Sequence, residues 1–215
     1  MGYSVKEVFA TLQGEGFHAG RAAVFVRFTG CNLWSGREAD RAKGLGGCAA
    51  WCDTDFVGTD GPGGGRFEDA NALADAALAA WVSERPRENM FVVCTGGEPL
   101  LQLDEVLIEA LHARGFEVAV ETNGTRPVPR GVDWVCVSPK AGGALAVAGG
   151  DELKLVYPQA GAEPERFEAM AFTHRFVQPM DGPDRAKNTE AAVRFCLTRP
   201  GWRVSLQTHK LLGIP

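Results

Sequence analysis

Short apolar segments along this chain are each followed at once by polar residues, and helical or glycine-rich stretches separate them. Residues 90–94 form a continuous apolar run, which is typical of a strand that is buried on both faces. We predict the other strands at 24–28, 116–120, 134–137, 152–156, 175–177 and 202–206. Apolar residues at helical spacing predict helices at 69–83, 103–111 and 186–197. This order predicts parallel βα units, whose reactive side chains gather beyond the carboxyl ends of the strands.

The length of the chain limits which βα fold it can form. Its 215 residues are fewer than the roughly 250 residues of a complete eight-unit TIM barrel. We therefore expect an α/β fold of the partial, open (βα)6 type, a TIM-like barrel in a single domain that spans 1–215. Residues 32–65 include nine glycines, and we interpret about 31–65 as a loop inserted into that domain.

Composition and charge argue against several classes of protein. A net charge of −5 at pH 7 gives no indication of a nucleic-acid-binding surface. No segment approaches the about 20 apolar residues of a membrane span, and the N-terminus lacks the apolar core of a signal peptide. We expect a cytoplasmic protein without nucleic-acid or membrane partners. Six cysteines in such a chain favour metal or redox chemistry over disulfides.

Three cysteines share the inserted loop, with the spacing C-x16-C-x3-C. Cys31, Cys48 and Cys52 stand beside glycine and charged residues rather than in apolar runs. Three thiolate ligands suit a [4Fe–4S] cluster, because one iron keeps a position for a small molecule. A structural zinc site that adds His18 is the alternative. The other three cysteines lie in apolar runs and are expected to pack in the core.

Several short motifs follow one another over nearly the whole chain. They are LQGEG at 12–16, GCNLW at 30–34, WCDT at 51–54, TGGEP at 95–99, ETNG at 121–124, SPK at 138–140 and QTHK at 207–210. Together they resemble the 7-carboxy-7-deazaguanine synthase family of the radical S-adenosylmethionine (SAM) superfamily. The cysteine spacing departs from the usual C-x3-C-x2-C of that superfamily, and the long first spacer resembles an insertion in some members of the family.

The resemblance implies an activity and its cofactors. The family converts 6-carboxy-5,6,7,8-tetrahydropterin to 7-carboxy-7-deazaguanine, with ring contraction and loss of ammonia, in queuosine biosynthesis. It implies a [4Fe–4S] cluster that cleaves SAM, a radical that abstracts hydrogen from the pterin, and Mg²⁺. It also implies a homodimer and an electron donor such as a flavodoxin or ferredoxin.

The resemblance also implies which residues form the site. The cluster ligands are Cys31, Cys48 and Cys52, and Thr54 is the implied ligand of Mg²⁺. The implied SAM contacts are Trp51, Asp53, Gly97, Glu98, Glu121, Asn123, Ser138, Pro139, Lys140, Gln178, Pro179 and Met180. The implied substrate contacts are Leu12, Gln13, Gly14, Arg27, Thr95, His209 and the terminal carboxylate of Pro215.

Simpler interpretations of these residues remain open at this point. Arg27 offers a planar fork for the substrate carboxylate, but a strand arginine can equally form an ordinary salt bridge. Thr54 can belong to a turn that caps its own backbone, and His209 can merely anchor the C-terminus. A glycyl-radical-activating enzyme would share the cluster and SAM motifs but lack LQGEG and QTHK. A zinc-stabilised binding module is the alternative outside enzymes.

Overall fold

One sheet organises the residues that the computed structural model describes, 2–83 and 88–215. Its strands are β1 Tyr3–Leu12, β2 Ala22–Phe28, β3 Gly65–Phe67, β4 Phe91–Gly96, β5 Glu117–Thr122, β6 Trp134–Val137, β7 Gly149–Tyr157, β8 Ala171–Pro179 and β9 Arg203–Val204. The α-helices are α1 Ala70–Ala80, α2 Glu105–Ala113, α3 Arg185–Thr198 and α4 Thr208–Leu212. None of the helices in the described residues is long and apolar enough to cross a membrane.

The nine strands form one open sheet in the order β3-β1-β2-β4-β5-β6-β7-β8-β9, so the fold is mixed α/β. β1 runs antiparallel to β2 and β3, whereas every later pair, from β2–β4 to β8–β9, is parallel. The carboxyl ends of the parallel strands therefore lie at one edge of the sheet, where α/β proteins place their binding sites.

Two apolar cores cover the outer face of the sheet. α1 and α2 pack there through Leu73, Leu107 and Leu111, which are almost fully buried against β1, β2, β4 and β5. α3 packs on β8 and β9 through residues such as Ala192 and Phe195. These helices leave the inner face of the sheet free to form a site.

Alternate residues of the central strands point to the inner face and change from apolar to polar along each strand. Phe91 and Val93 of β4 pack in an inner core, and Thr95, two residues further on, lines a cavity. In β2, Phe25 packs against the same core and Arg27 lines the cavity. Arg27 and Thr95 are register partners, so the two strands present them side by side.

The loop between β1 and β2 fills the inner face at the amino ends of the strands. Phe17 stacks on His174, with ring centroids 4.3 Å apart, and on Trp134, at 5.0 Å. His18 packs edge-on against Trp134 at 4.3 Å. Because residues 13–15 of the same loop line the cavity above, this loop forms a floor under it.

The predicted strands and helices are all confirmed, with ends that differ by a few residues. Residues 123–133 and 138–148, all of them described, are long connections that join β5 to β6 and β6 to β7 without a helix, which agrees with the predicted alternation of strands with helices or long connections. The single domain predicted over 1–215 includes Met1 and 84–87, which lie outside the described residues.

The sequence did not reveal β1, β3 or α4. β1 contains an irregularity in its pairing between Val5 and Glu7. As a result Tyr3, Val5 and Val8 all face the outer core, which breaks the period of two that marks a strand. β3 and α4 are too short to give a periodic signal.

Candidate active site

A cavity of about 600 Å³ opens at the carboxyl ends of the parallel strands. Its wall includes every site residue that the resemblance implies, except Glu98 and Pro139. The wall residues of this set are Leu12, Gln13, Gly14, Arg27, Cys31, Cys48, Trp51, Cys52, Asp53, Thr54, Thr95, Gly97, Glu121, Asn123, Ser138, Lys140, Gln178, Pro179, Met180, His209 and Pro215. Segments that are far apart in the sequence therefore meet around one space.

The three loop cysteines lie in this wall, and all three are free thiols. The spacing C-x3-C corresponds to one helical turn, since the N–H of Cys52 donates to the carbonyl oxygen of Cys48 at 2.7 Å. Arg41 holds the turn in place, because its guanidinium donates to the carbonyl oxygens of Ala49 at 2.6 Å and of Cys52 at 3.2 Å. Protein contacts thus set the path of the cysteine loop.

The environment of the cysteines combines burial with a nearby cation. Burial raises the pKa of Cys48 to about 11 and raises the pKa of Cys31 as well. The Lys140 ammonium acts on Cys48 in the opposite direction and favours the thiolate. A metal cluster that carries positive charge would act in the same sense.

The end of β4 approaches the first cysteine so closely that only glycine fits. A Cβ atom on Gly97 would collide with the carbonyl oxygen of Gly30 and would lie 2.8 Å from the Cβ of Cys31. The N–H of Glu98 donates to the same carbonyl oxygen at 2.9 Å. The TGGEP segment therefore fixes the start of the cysteine loop.

Glu98 lies behind the cavity wall and is completely buried. Its carboxylate accepts hydrogen bonds from the Thr122 hydroxyl at 2.7 Å, the Asn123 N–H at 2.8 Å and the Leu100 N–H at 3.0 Å. Burial raises its pKa, and these donors act in the opposite direction. The assignment of Glu98 to the SAM ammonium stays a prediction, because three donors occupy its carboxylate and the residue does not line the cavity.

The loops after β5 and β6 bring amide and ammonium groups to the wall. The Asn123 side chain donates to Asn32 Oδ1 at 3.0 Å, and thereby joins the loop after β5 to the cysteine loop. The Lys140 ammonium donates to the carbonyl oxygen of Ser138 at 2.8 Å and to its hydroxyl. It lies 6.0 Å from the ring centroid of Trp51. Burial lowers the pKa of Lys140.

A buried charged group lies in the cavity wall nearest the floor. Lys154 Nζ lies 2.7 Å from Glu15 Oε2 and 3.1 Å from Glu121 Oε1, and the Gln13 amide donates to the same Glu121 oxygen at 3.0 Å. Burial opposes the charge on Lys154, but the two carboxylates outweigh it and raise its pKa well above its usual value. Burial likewise opposes the charge on Glu15, but Lys154 lowers the Glu15 pKa to about 2.

Arg27 forms an ion pair as well as lining the cavity. Its Nε donates to Glu7 Oε1 at 2.7 Å, and both side chains are about one-fifth exposed. The interpretation of Arg27 as a salt-bridge residue is therefore confirmed, and its role towards a substrate carboxylate stays a prediction, with the guanidinium held at the cavity wall by Glu7.

The C-terminal segment crosses the cavity beside β1. The Thr208 hydroxyl donates to the carbonyl oxygen of Gly14 at 2.8 Å, and Thr11 donates to a Pro215 oxygen at 2.7 Å. A Cβ on Gly14 would collide with the ring of His209, so a side chain at this position would displace His209. The interpretation of His209 as an anchor fits this packing, and the residue lines the cavity as well.

Lys210 joins this C-terminal segment to two other parts of the cavity mouth. Its Nζ lies 2.7 Å from Asp53 Oδ2 and 2.7 Å from Asp181 Oδ2. Thr54 follows Asp53 in the wall. Next to it, Asp55 pairs with Lys6 at 2.9 Å.

The zinc alternative finds no support in this arrangement. His18 lines a second cavity of about 10 Å³, apart from the one that the three cysteines share. In residues 2–83 and 88–215, no three His, Cys, Asp or Glu side chains are grouped to hold a single metal ion. The four proposed zinc ligands are therefore not brought together.

Sequence reasoning missed Lys154, Asp181 and the pairing of Glu15. One signal was available, because Lys154 interrupts the apolar residues Leu153, Leu155 and Val156 of β7, and a buried lysine needs a carboxylate partner. The sequence did not show which carboxylate, since Glu15 lies on a distant loop.

Comparisons with known proteins agree over the whole chain. A 7-carboxy-7-deazaguanine synthase from Bordetella pertussis is 64% identical over 215 residues and covers 100% of both chains. One from Bacteroides thetaiotaomicron is 39% identical over 210 residues, 98% of this chain and 97% of its own. A crystal structure of QueE from Escherichia coli has a TM-score of 0.71 at 27% identity, covering 97% of this chain and 95% of that one. Models of protein families gave no match.

Proposed function

Because this chain belongs to the 7-carboxy-7-deazaguanine synthase family of radical SAM enzymes, we propose how its cavity performs the family's reaction. The enzyme is a lyase of queuosine biosynthesis that converts 6-carboxy-5,6,7,8-tetrahydropterin to 7-carboxy-7-deazaguanine and ammonia. The observation that carries the proposal is that three free cysteines and residues of the sequence motifs meet around one cavity of about 600 Å³. That volume lies in the range of small-molecule sites.

The family identity implies a [4Fe–4S] cluster and SAM, and the residues present fit both. Cys31, Cys48 and Cys52 would hold three irons, and the SAM amino and carboxylate groups would bind the fourth. The close packing of Gly97 against the Gly30 carbonyl and Cys31 puts the end of β4 next to the first proposed cluster ligand. When bound, the cluster and SAM supply the radical chemistry, and the protein orients the reactants and excludes water.

For SAM we propose the wall that runs from the cysteine loop to the end of β8. Trp51, Asp53 and Gly97 would contact the methionine part beside the cluster. The remaining proposed contacts are Glu98, Glu121, Asn123, Ser138, Pro139, Lys140, Gln178, Pro179 and Met180. Glu98 would also act through the strand ends, since its carboxylate joins β4 to the loop after β5.

For the pterin we propose the wall formed by β1, the floor loop and the C-terminal segment. Arg27, held by Glu7, would bind the substrate carboxylate with its guanidinium. Leu12, Gln13 and Gly14 would bind the pterin edge, and Thr95, His209 and Pro215 complete the proposed set. The Lys154–Glu15–Glu121 group supports this placement, because it offers both donors and acceptors to a polar ring.

We propose that the Lys154–Glu15–Glu121 group also serves proton transfer at the substrate. Loss of ammonia requires that a proton leaves carbon and that the departing nitrogen gains one. Glu121 is the carboxylate that would accept the proton from carbon and pass it to the departing nitrogen, and Lys154, whose raised pKa keeps its ammonium charged, would hold that carboxylate in place. Both are held in the wall by the contacts described above.

Several finer assignments belong to the proposal. Thr54 and substrate oxygens would bind Mg²⁺, which prefers oxygen ligands and keeps several waters. We propose a homodimer, an electron donor such as a flavodoxin or ferredoxin, a cytoplasmic location and a single domain over 1–215. We further propose that the fold is an open barrel of the (βα)6 type whose helix layer is incomplete.

The test is anaerobic reconstitution with iron and sulfide, followed by incubation with SAM, reductant, Mg²⁺ and 6-carboxytetrahydropterin. Mass spectrometry should detect 7-carboxy-7-deazaguanine. Omission of Mg²⁺ tests the role of that ion separately. If a Thr54→Val variant still responds to Mg²⁺, Thr54 is not a ligand of that ion. Cluster formation without the product would contradict the substrate assignment.

A further inference from the structure

Lys210 forms a bridge between three segments that are distant in the sequence. Its ammonium lies 2.7 Å from a carboxylate oxygen of Asp53 and 2.7 Å from one of Asp181. Asp53 directly follows Cys52, a proposed cluster ligand. Asp181 directly follows Met180, the last residue of the wall proposed for SAM. Lys210 itself belongs to α4 in the C-terminal segment. All three bridging residues line the same cavity.

The two ends of this bridge adjoin different proposed ligands. Asp53 and Asp181 adjoin the wall proposed for SAM. Lys210 adjoins His209, whose ring packs against Gly14 in the wall proposed for the pterin. A displacement of either carboxylate would therefore move the ammonium and, with it, the segment that covers the other ligand.

The position of the bridge makes a purely stabilising role a poor explanation. The side chain of Lys210 is 31% exposed and that of Asp53 is 60% exposed, and exposed ion pairs add little to the stability of a fold. Two charge-assisted hydrogen bonds donated by one ammonium nevertheless fix geometry well. The three charged groups sum to one net negative charge at the cavity mouth.

We propose that Lys210 is a positioning residue that makes the binding of SAM and of the pterin substrate cooperative. This inference rests on the proposed function of the cavity. SAM bound beside Asp53 and Asp181 fixes both carboxylates, and these hold Lys210 and the C-terminal segment in the arrangement that receives the pterin. Because coupling between two sites is reciprocal, the pterin strengthens the binding of SAM by the same factor.

The experiment compares the affinity for the pterin with and without SAM. The reconstituted protein is kept with its cluster oxidised and without reductant, so that no turnover occurs. Equilibrium dialysis of 6-carboxytetrahydropterin gives both dissociation constants under anaerobic conditions. For the unchanged protein we expect SAM to tighten pterin binding by about tenfold, a common size of coupling.

Two substitutions separate the bridge from a general effect of charge. Lys210→Met should bind the pterin equally with and without SAM. Arg185→Met is the matched control, because Arg185 lies 4.0 Å from the same Asp181 but does not reach Asp53, and it should keep the tenfold effect. Hydrogen exchange of residues 208–214 should slow on addition of SAM in the unchanged protein and in Arg185→Met, but not in Lys210→Met.

The outcomes distinguish the inference from the function on which it rests. The inference is overturned if SAM does not tighten pterin binding in the unchanged protein. It is also overturned if SAM tightens pterin binding to the full extent in Lys210→Met. Failure of the unchanged protein to bind either ligand overturns the proposed function instead. If Lys210→Met does not fold, Asp181→Asn decides the matter, since it weakens one arm of the bridge and should reduce the coupling.

Discussion

At the scale of single residues, Gly97 shows how closely the cysteine loop packs against the sheet. The space that a side chain would need there is taken by the Gly30 carbonyl and by Cys31. Overpacking of this kind costs about 1–3 kcal/mol, and here the strain would fall on Cys31, a proposed cluster ligand. Gly97 thus ties the shape of the strand end to the position of a thiol.

We expect Gly97→Ala to lower the iron and sulfide content of the reconstituted protein while far-UV circular dichroism stays unchanged. Gly201→Ala is the control, because a Cβ at Gly201 meets no atom within 4 Å. The measurement is iron and labile sulfide per chain. A normal iron and sulfide content in Gly97→Ala would show that the cysteine loop can move away from β4 at no cost in free energy.

Lys154→Met should destabilise the protein strongly, because it leaves Glu15 and Glu121 without their buried cation. Removal of one partner from such a group costs about 3–5 kcal/mol. Denaturant unfolding of the cluster-free protein measures the loss. A second substitution, Glu15→Gln, should recover part of it, and a double variant no more stable than Lys154→Met would argue against the ion pair as the cause.

The lowered pKa of Glu15 predicts how stability depends on pH. Its pKa is about 2 in the folded protein against an ordinary value of 4.5, so its contribution is fully present above pH 4.5 and is lost as the pH falls towards 2. Glu15→Gln should therefore show a shallower fall in the free energy of unfolding across this window. Equal slopes in the two proteins would contradict the pKa shift.

At the scale of elements, the cysteine loop is held by one arginine and a small apolar cluster. Arg41 donates to the carbonyl oxygens of Ala49 and Cys52 and lies 4.8 Å from the ring centroid of Trp34. Trp34 in turn packs with Phe56. This set is separate from the two outer cores, so the loop can be disturbed without the sheet.

Arg41→Gln should loosen the cysteine loop and leave the rest of the fold intact. Hydrogen bonds from a charged donor contribute about 1.5–3 kcal/mol, and here they order the turn that carries Cys48 and Cys52. We expect faster proteolysis within 37–50 and lower cluster content. Arg37→Gln, with its exposed side chain on the same loop, is the control and should behave like the unchanged protein.

The elements that could be predicted from sequence are those whose packing is regular. β4 and β5 are buried on both faces and gave clear apolar runs. β1 did not, because its pairing irregularity shifts which side chains face the core, and because Glu7 and Thr11 face the cavity. A strand that lines a site has polar residues where a plain strand would be apolar.

At the scale of the whole molecule, the sequence predicts one feature of the site, which is that the ends of the parallel strands meet at one edge of the sheet. The motifs at the ends of β4, β5 and β6 follow that rule and line the cavity. The pairs Gln13–Glu121 and Lys210–Asp53, separated by 108 and 157 residues, could not be predicted. Their partners are set by how the floor loop and the C-terminal segment lie across the sheet.

Removal of the cluster should leave the fold of the whole molecule in place. The two outer cores, which contain residues such as Leu107 and Phe195, do not include the cysteine loop. Chelation of iron under anaerobic conditions should therefore abolish the visible absorption while far-UV circular dichroism and the midpoint of thermal unfolding change little. Cooperative unfolding on chelation would show that the cluster is part of the core.

The hold of Arg41 on the cysteine loop bears on how the enzyme survives exposure to oxygen. Oxygen destroys clusters of this kind, and a loop ordered only by its metal would collapse when the metal is lost. Here the Cys52 carbonyl and its neighbours are fixed by protein contacts. A damaged molecule then remains a ready acceptor, and its repair needs only fresh iron and sulfide rather than a newly synthesised chain.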